Sequence, residues 1–305
     1  MGKLPLLGSL LAAALVLGGC SSGPPDQAAE NPPVPEPSLP ASVPPAPVSA
    51  ADVELPLAPY VQLAAGNEGV LTKASALLVT KCMRDKGFSH TPGGGGGQAG
   101  SSAPLPDYGL NDSDQARKSG YSRPGVVSGD ELARAGAMPD FDQQVREHGE
   151  AWMKALYGFT SVGTPSDGTG CFDTAFVRVP EYDKLDKELP GKLLHQSDQL
   201  TRADSRVVGV TGDWSACMAE SGFRYRSPAE PARQQWPKPV GSQEITTAVT
   251  DVACKQRTNL PGTWLAVQAG YQQTLLDRNA PALEELKNAW RLVVEEAERV
   301  VANGG

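Results

Sequence analysis

The sequence predicts a mainly α-helical, disulfide-stabilised bundle with long irregular loops. Three observations predict it. Apolar residues recur every three or four positions through most of the chain after residue 60, and four cysteines are spread through the same stretch. Strand-like alternation is confined to two tetrapeptides, Phe176–Val179 and Phe223–Arg226, and both read equally well as loop. The stretch from Tyr60 to Gly305 is about 245 residues, enough for one large domain or two small packed ones.

Residues 1–19 read as a lipoprotein signal peptide. Lys3 is the only charge there, and the apolar run from Leu4 to Leu17 is shorter than the roughly 20 residues of a membrane-spanning helix. Leu17-Gly18-Gly19-Cys20 then has the form of a bacterial lipobox, in which a peptidase cuts before Cys20 and the thiol carries diacylglycerol. An ordinary secretory signal with a chance cysteine is the competing reading. Residues 20–58 follow as a lipid-anchored tether. Ten prolines lie between Pro24 and Pro47, with too little apolar bulk to form a core, so an extended, disordered leash is expected.

The helical domain is assigned to 59–305, with a flexible insertion over 89–106 that includes the run Gly93 to Gly97. Leu71, Ser75, Leu78 and Cys82 share a helix face ahead of a stop at Gly87. Asn111–Asp114 starts a short helix that Gly120 can end, and Ser128–Glu131 has the form of a capping box. Asp140 opens a longer helix with Phe141, Val145, His148, Trp152 and Leu156 on one face, ending at Gly158. A further stripe runs Leu193, Leu200, Val207. Asp213 is the expected cap of the helix carrying Trp214 and Cys217, and Ser242 that of the next. Ser227 to Gly241 reads as an irregular, proline-rich surface strap. At the C-terminus Thr263 caps a helix with Trp264, Gln268, Tyr271 and Leu275. Asn279-Ala280-Pro281 is expected to break and restart it, giving an antiparallel hairpin.

A short repeat organises the cysteines. Cys82-Met83-Arg84-Asp85-Lys86-Gly87-Phe88 recurs as Cys217-Met218-Ala219-Glu220-Ser221-Gly222-Phe223. With glycine in the left-handed conformation just past a helix, Met and Phe occupy the two positions whose side chains meet in a Schellman motif. Each copy has a later cysteine, Cys171 or Cys254, so the repeat favours pairing Cys82 with Cys171 and Cys217 with Cys254. Crossed pairings stay open at this level.

Composition and motifs exclude several function classes. Net charge is −8, and −9 once Lys3 leaves with the signal; no basic run survives in the mature chain, which argues against a nucleic-acid partner. There is no nucleophile elbow, zinc-protease pair, phosphate loop or calcium loop. His90, His148 and His195 are far apart, so no metal site and no cofactor are expected, and no catalytic residue is assigned. Two acidic groups, Asp183, Asp186 and Glu188 beside Tyr182, and Glu295, Glu296 and Glu298, keep open a hydrolase using paired carboxylates. The candidate binding residues are Tyr108 and Tyr121, which flank a short helix with Arg117 and Lys118, and Arg224-Tyr225-Arg226.

The lipobox, the two Cys-Met-x-x-x-Gly-Phe segments, Tyr108-Gly109-Leu110 with Gly120-Tyr121, Ala155-Leu156-Tyr157-Gly158 before Gly170-Cys171, and Asp251 to Cys254 with Asn259-Leu260 carry a resemblance. The chain resembles uncharacterised cell-envelope lipoproteins of high-GC Gram-positive bacteria. That resemblance implies a location and a disulfide-stabilised helical fold, with no activity attached. The expected function is a lipid-anchored extracytoplasmic binding or adaptor protein, tethered to the membrane through Cys20. Its partner would be another envelope protein or a cell-wall component; a cell-wall hydrolase is the alternative.

Overall fold

A computed structural model describes residues 33–48, 52–90, 108–122, 141–160 and 164–305. The signal peptide, Cys20, the Ser128–Glu131 box and nearly all of the 89–106 insertion lie outside these. The described residues are mainly helical and contain no strand, and Phe176–Val179 and Phe223–Arg226 are coil with one bend each. No described helix is long and apolar enough to cross a membrane.

Among the described residues twelve helices follow in order: α1 Ala58–Val61, α2 Glu68–Asp85, α3 Ser113–Ser119, α4 Phe141–His148, α5 Glu150–Tyr157, α6 Cys171–Thr174, α7 Pro180–Asp183, α8 Leu189–Ala203, α9 Ser205–Glu220, α10 Ala229–Arg233, α11 Ser242–Thr258 and α12 Leu260–Asn303. The last is the spine. α2, α7, α8, α9 and α11 all pack against it, while α3 lies on α11. The expected C-terminal hairpin is therefore corrected to one helix of 44 residues, with Pro281 inside it. Its buried positions explain the continuity: Trp264, Val267, Tyr271, Leu275, Leu283, Leu286, Val293 and Ala297 stay on one face in unbroken helical phase. Pro281 donates no hydrogen bond, and the Asn279 side chain caps the Leu275 carbonyl at 2.8 Å in the turn before it.

The two cysteine repeats end their helices alike. Phe88 donates its N–H to the Met83 carbonyl (2.9 Å) and Phe223 to that of Met218 (3.0 Å), with Gly87 and Gly222 at φ +86° and +87°. These are the Schellman bonds the spacing predicts, and Met83 and Met218 are both fully buried beneath them. The cysteine pairs Cys82–Cys171 and Cys217–Cys254 stand at bonding distance, with Cα separations of 5.8 and 5.7 Å. Each staples a different apolar cluster. The first joins Val79, Met83, Trp152, Met153 and Leu156; the second joins Trp214, Met218, Leu260, Trp264 and Tyr271.

Several element boundaries differ from expectation. Gly149, at φ +86°, divides the anticipated 141–157 helix into α4 and α5. His148 is consequently exposed, stacked on Trp152 at 4.3 Å, and not on a buried face. Asp213 lies mid-helix and exposed; the cap of α9 is Asp204, whose carboxylate accepts from the Arg206 N–H at 3.0 Å. Gly241 occupies the N-cap position of α11 and Ser242 is its first residue. Thr263 lies inside α12, whose N-cap is Asn259. On α2 the buried stripe is Ala74, Val79 and Met83, turned from the expected one, whose members are half-buried.

The proline-rich segment also departs from expectation over residues 34–48. It lies along the helical body as a strap. Arg206 donates from Nη1 to the Pro37 carbonyl (2.7 Å), Asn259 from Nδ2 to that of Val43 (2.9 Å), and Asn111 from Nδ2 to that of Pro47 (3.2 Å). Val34 and Leu39 pack against the Trp264 cluster.

Candidate functional site

Two features stand out: a buried ionic core and a separate cleft beside α9. The ionic core sits where α3 meets α11. Asp251 and Lys255, one helical turn apart, are both fully buried, with Nζ 2.8 Å from Oδ2. Trp214 Nε1 donates to Asp251 Oδ1 (3.0 Å), Tyr121 Oη donates to Oδ2 (3.2 Å), and Lys255 also donates to the Leu110 carbonyl (2.9 Å). Burial pushes the Asp251 carboxyl up and the Lys255 ammonium down, and their mutual attraction opposes both shifts. Glu244, 2% exposed, accepts from the Tyr121 N–H at 3.0 Å. A Cβ at Gly120 would approach the Glu244 carboxyl to 2.7 Å, so glycine there makes room for the acid. The sequence motifs around 108–121 and 251–255 thus converge on one satisfied polar cluster that fixes α3 to α11.

This placement sorts the candidate binding residues. Tyr108 is 2% exposed and belongs to the core; burial raises its phenol to about 12. Tyr121 is held by Asp251, and its ring stacks on Trp236 at 6.0 Å, lining a shallow hollow with Glu244, Gln234 and Lys238. Burial and the nearby carboxylates push its phenol upward. Tyr225 is half-buried and donates to Gln234 Oε1 at 3.0 Å, and Arg224 is exposed. Arg226 faces a different cavity. Tyr121 and Arg226 therefore serve two separate hollows.

The larger cavity, about 640 Å³, lies between α9 and the 226–233 segment. Three arginines line it: Arg202 from the end of α8, Arg226 from the loop after α9, and Arg233 from the end of α10. Trp264, Val207 and Thr211 supply its floor and wall, and no carboxylate is among its lining residues. Val208 beside it is 57% exposed. Gly209 is exposed, and Gly212 both lines the cavity and is exposed. A Cβ at either would meet nothing within 4 Å. Glycine inside a helix costs about 1 kcal/mol relative to alanine, and no internal close approach accounts for it at these two positions. Sequence reasoning found Arg226 alone of the three arginines. Arg202 and Arg233 come from other elements, and only the fold brings them to Trp264.

The acidic groups weighed for hydrolysis lie elsewhere. Asp183 pairs with Lys187 (2.7 Å) and Asp186 with Lys192 (2.8 Å) on the surface, the latter carboxyl held low by its bond to Lys192. Glu295 pairs with Arg291 at 3.3 Å and Glu296 with Arg299, while Tyr182 meets Trp290 edge-on at 5.4 Å. His90 and His148 both contact Trp152. His195 is exposed on α8. Among the described residues no group of three metal-ligating side chains converges. Comparison with protein-family models, curated proteins and solved structures gave no match.

Proposed function

We propose that this chain is a lipid-anchored extracytoplasmic binding protein of the bacterial cell envelope, and that its ligand is an anion with an apolar body. The observation that carries this reading is the cavity that Arg226 and Arg233 line together with Trp264 and no acid, in a chain whose net charge is −8. Its volume suits a small-molecule group or a short peptide end. Guanidinium groups recognise carboxylate, phosphate or sulfonate by paired hydrogen bonds, while Trp264 and Val207 take up apolar surface. The lipid anchor on Cys20 rests on the lipobox residues.

An aromatic sulfonate, 1-anilinonaphthalene-8-sulfonate, combines the two chemistries and is the probe for the cavity. Saturable one-to-one binding to the oxidised, folded protein is expected, weakened at least ten-fold by Arg226→Ala with Arg233→Ala at unchanged melting temperature. Equal binding by that variant would refute the site. Labelled palmitate entering the wild type but not Cys20→Ser checks the anchor.

A further inference from the structure

The strap of residues 34–48 is held in the manner of a bound peptide. Six of the fourteen residues from Val34 to Pro47 are proline. Among the described residues its backbone forms no main-chain hydrogen bond; its carbonyls at Pro37, Val43 and Pro47 are instead met by side-chain donors from the body. Val34, Pro37, Leu39, Val43 and Ala46 are half-buried; the pairs Val34/Pro37 and Val43/Ala46, on either side of a bend at Ala41–Ser42, are each spaced by three, the period of a polyproline-II helix. Such a helix leaves its carbonyls open, so a reader needs outward donors and shallow apolar pockets.

The body is shaped to supply both. Gly262 and Gly270 lie on α12 where the strap passes. A Cβ at Gly270 would come within 2.3 Å of the Pro37 ring, and one at Gly262 within 2.3 Å of the Pro44 carbonyl oxygen. Gly270 is therefore required by the strap's close approach, whereas a Cβ at Gly262 would also meet the Asn259 side-chain oxygen at 2.3 Å. Arg206 is aimed at the strap by Asp204, whose carboxylate accepts from its Nε at 2.8 Å and its Nη2 at 2.7 Å, leaving Nη1 for Pro37. Tyr271 Oη donates to the same Oδ2 at 3.1 Å and helps to hold that carboxylate. Asp204 and Tyr271 thus hold the donor from the body side.

We propose that this face of α9 and α12 is a binding site for proline-rich polyproline-II segments, with residues 34–47 of the chain itself as its resident ligand. Occupancy in cis is favoured by the short connection, which gives the strap an effective concentration in the millimolar range. Residence also sets the leash. Releasing about 15 residues at about 3.1 Å each would add up to about 45 Å of reach between body and anchor.

The test uses the full-length chain with residues 34–47 replaced by a glycine–serine sequence of equal length, and a fluorescein-labelled peptide spanning Val34–Val48. Anisotropy should show the peptide binding this variant and not the wild type, whose site is filled. Adding Arg206→Ala, or Gly270→Leu to fill the proline's place, should weaken binding at least ten-fold. Cooperative melting of each variant confirms that it is folded. A folded replacement variant that ignores the peptide overturns the proposal. Binding of equal strength by the wild type would show an open groove and overturn residence in cis. Proteinase K on the wild type supplies the second readout: slower cleavage at Ala41–Ser42 than in its Gly270→Leu variant supports residence, and equal rates refute it.

Discussion

Asp204 illustrates how much one side chain can coordinate. It caps α9, grips Arg206 and accepts from Tyr271, all while 2% exposed. The Arg206 guanidinium holds its carboxyl below the usual carboxylate range. A carboxyl whose folded pKa is depressed contributes stability above its unfolded value, about 3.9, and loses it as pH falls through the lower folded value. The stability gap between wild type and Asp204→Asn should therefore be constant from neutral pH to about 5. It should shrink as pH drops below about 4, as read by urea melts at each pH. Asp251 and Lys255 make a different prediction. Lys255→Met strands a buried carboxylate and should cost about 3–5 kcal/mol, while adding Asp251→Asn should recover part of that loss. A double-mutant cycle in urea measures it. Asp251 was visible in the sequence only as a neighbour of Cys254; its partners Tyr121 and Trp214 lie 130 and 37 residues away, and no local pattern announces them.

At the scale of elements, the helix ends were the most legible part of the chain. A glycine that must take positive φ, flanked by a buried methionine and a phenylalanine, is a local device, and local devices survive into the fold unchanged. Asp112 capping α3 through the Asp114 and Gln115 amides is another. Errors arose where a local signal met a longer-range one. Pro281 favours a helix start, yet the apolar stripe of α12 passes through it without losing phase, and burial against α2 and α8 outweighs the lost bond. The two readings predict opposite effects. As the first residue of a new helix, Pro281 would be replaced by alanine at little or no gain. Inside a continuous helix, Pro281→Ala should stabilise by about 1–3 kcal/mol in chemical denaturation.

Across the whole molecule, the two disulfides hold separate clusters, so their loss should be felt separately. Replacing Cys82 and Cys171 by serine removes a closure of 89 residues and should cost about 2–5 kcal/mol. Hydrogen exchange should then rise in α2, α5 and α6 before α9, α11 and α12, where Cys217–Cys254 remains. The helical class and the division into repeats were readable from cysteine spacing and periodicity. The arginine cavity was not, because its three cations come from three different segments and only Arg226 stood next to a recognisable motif. Nor was the docked strap: its composition alone specifies an extended chain, and whether such a chain finds a surface depends on Gly262, Gly270 and Arg206 more than 150 residues further on.

The strap also decides how the body bears load. A pull arriving through the N-terminal side of the chain meets Val34 and Pro37 first, then Val43, and only afterwards the helices. Those contacts are few and non-covalent, whereas the clusters behind them are cross-linked through sulfur. Under tension the segment should peel away one carbonyl at a time and lengthen while the helical body stays intact, a shock absorber written into the first proline-rich stretch.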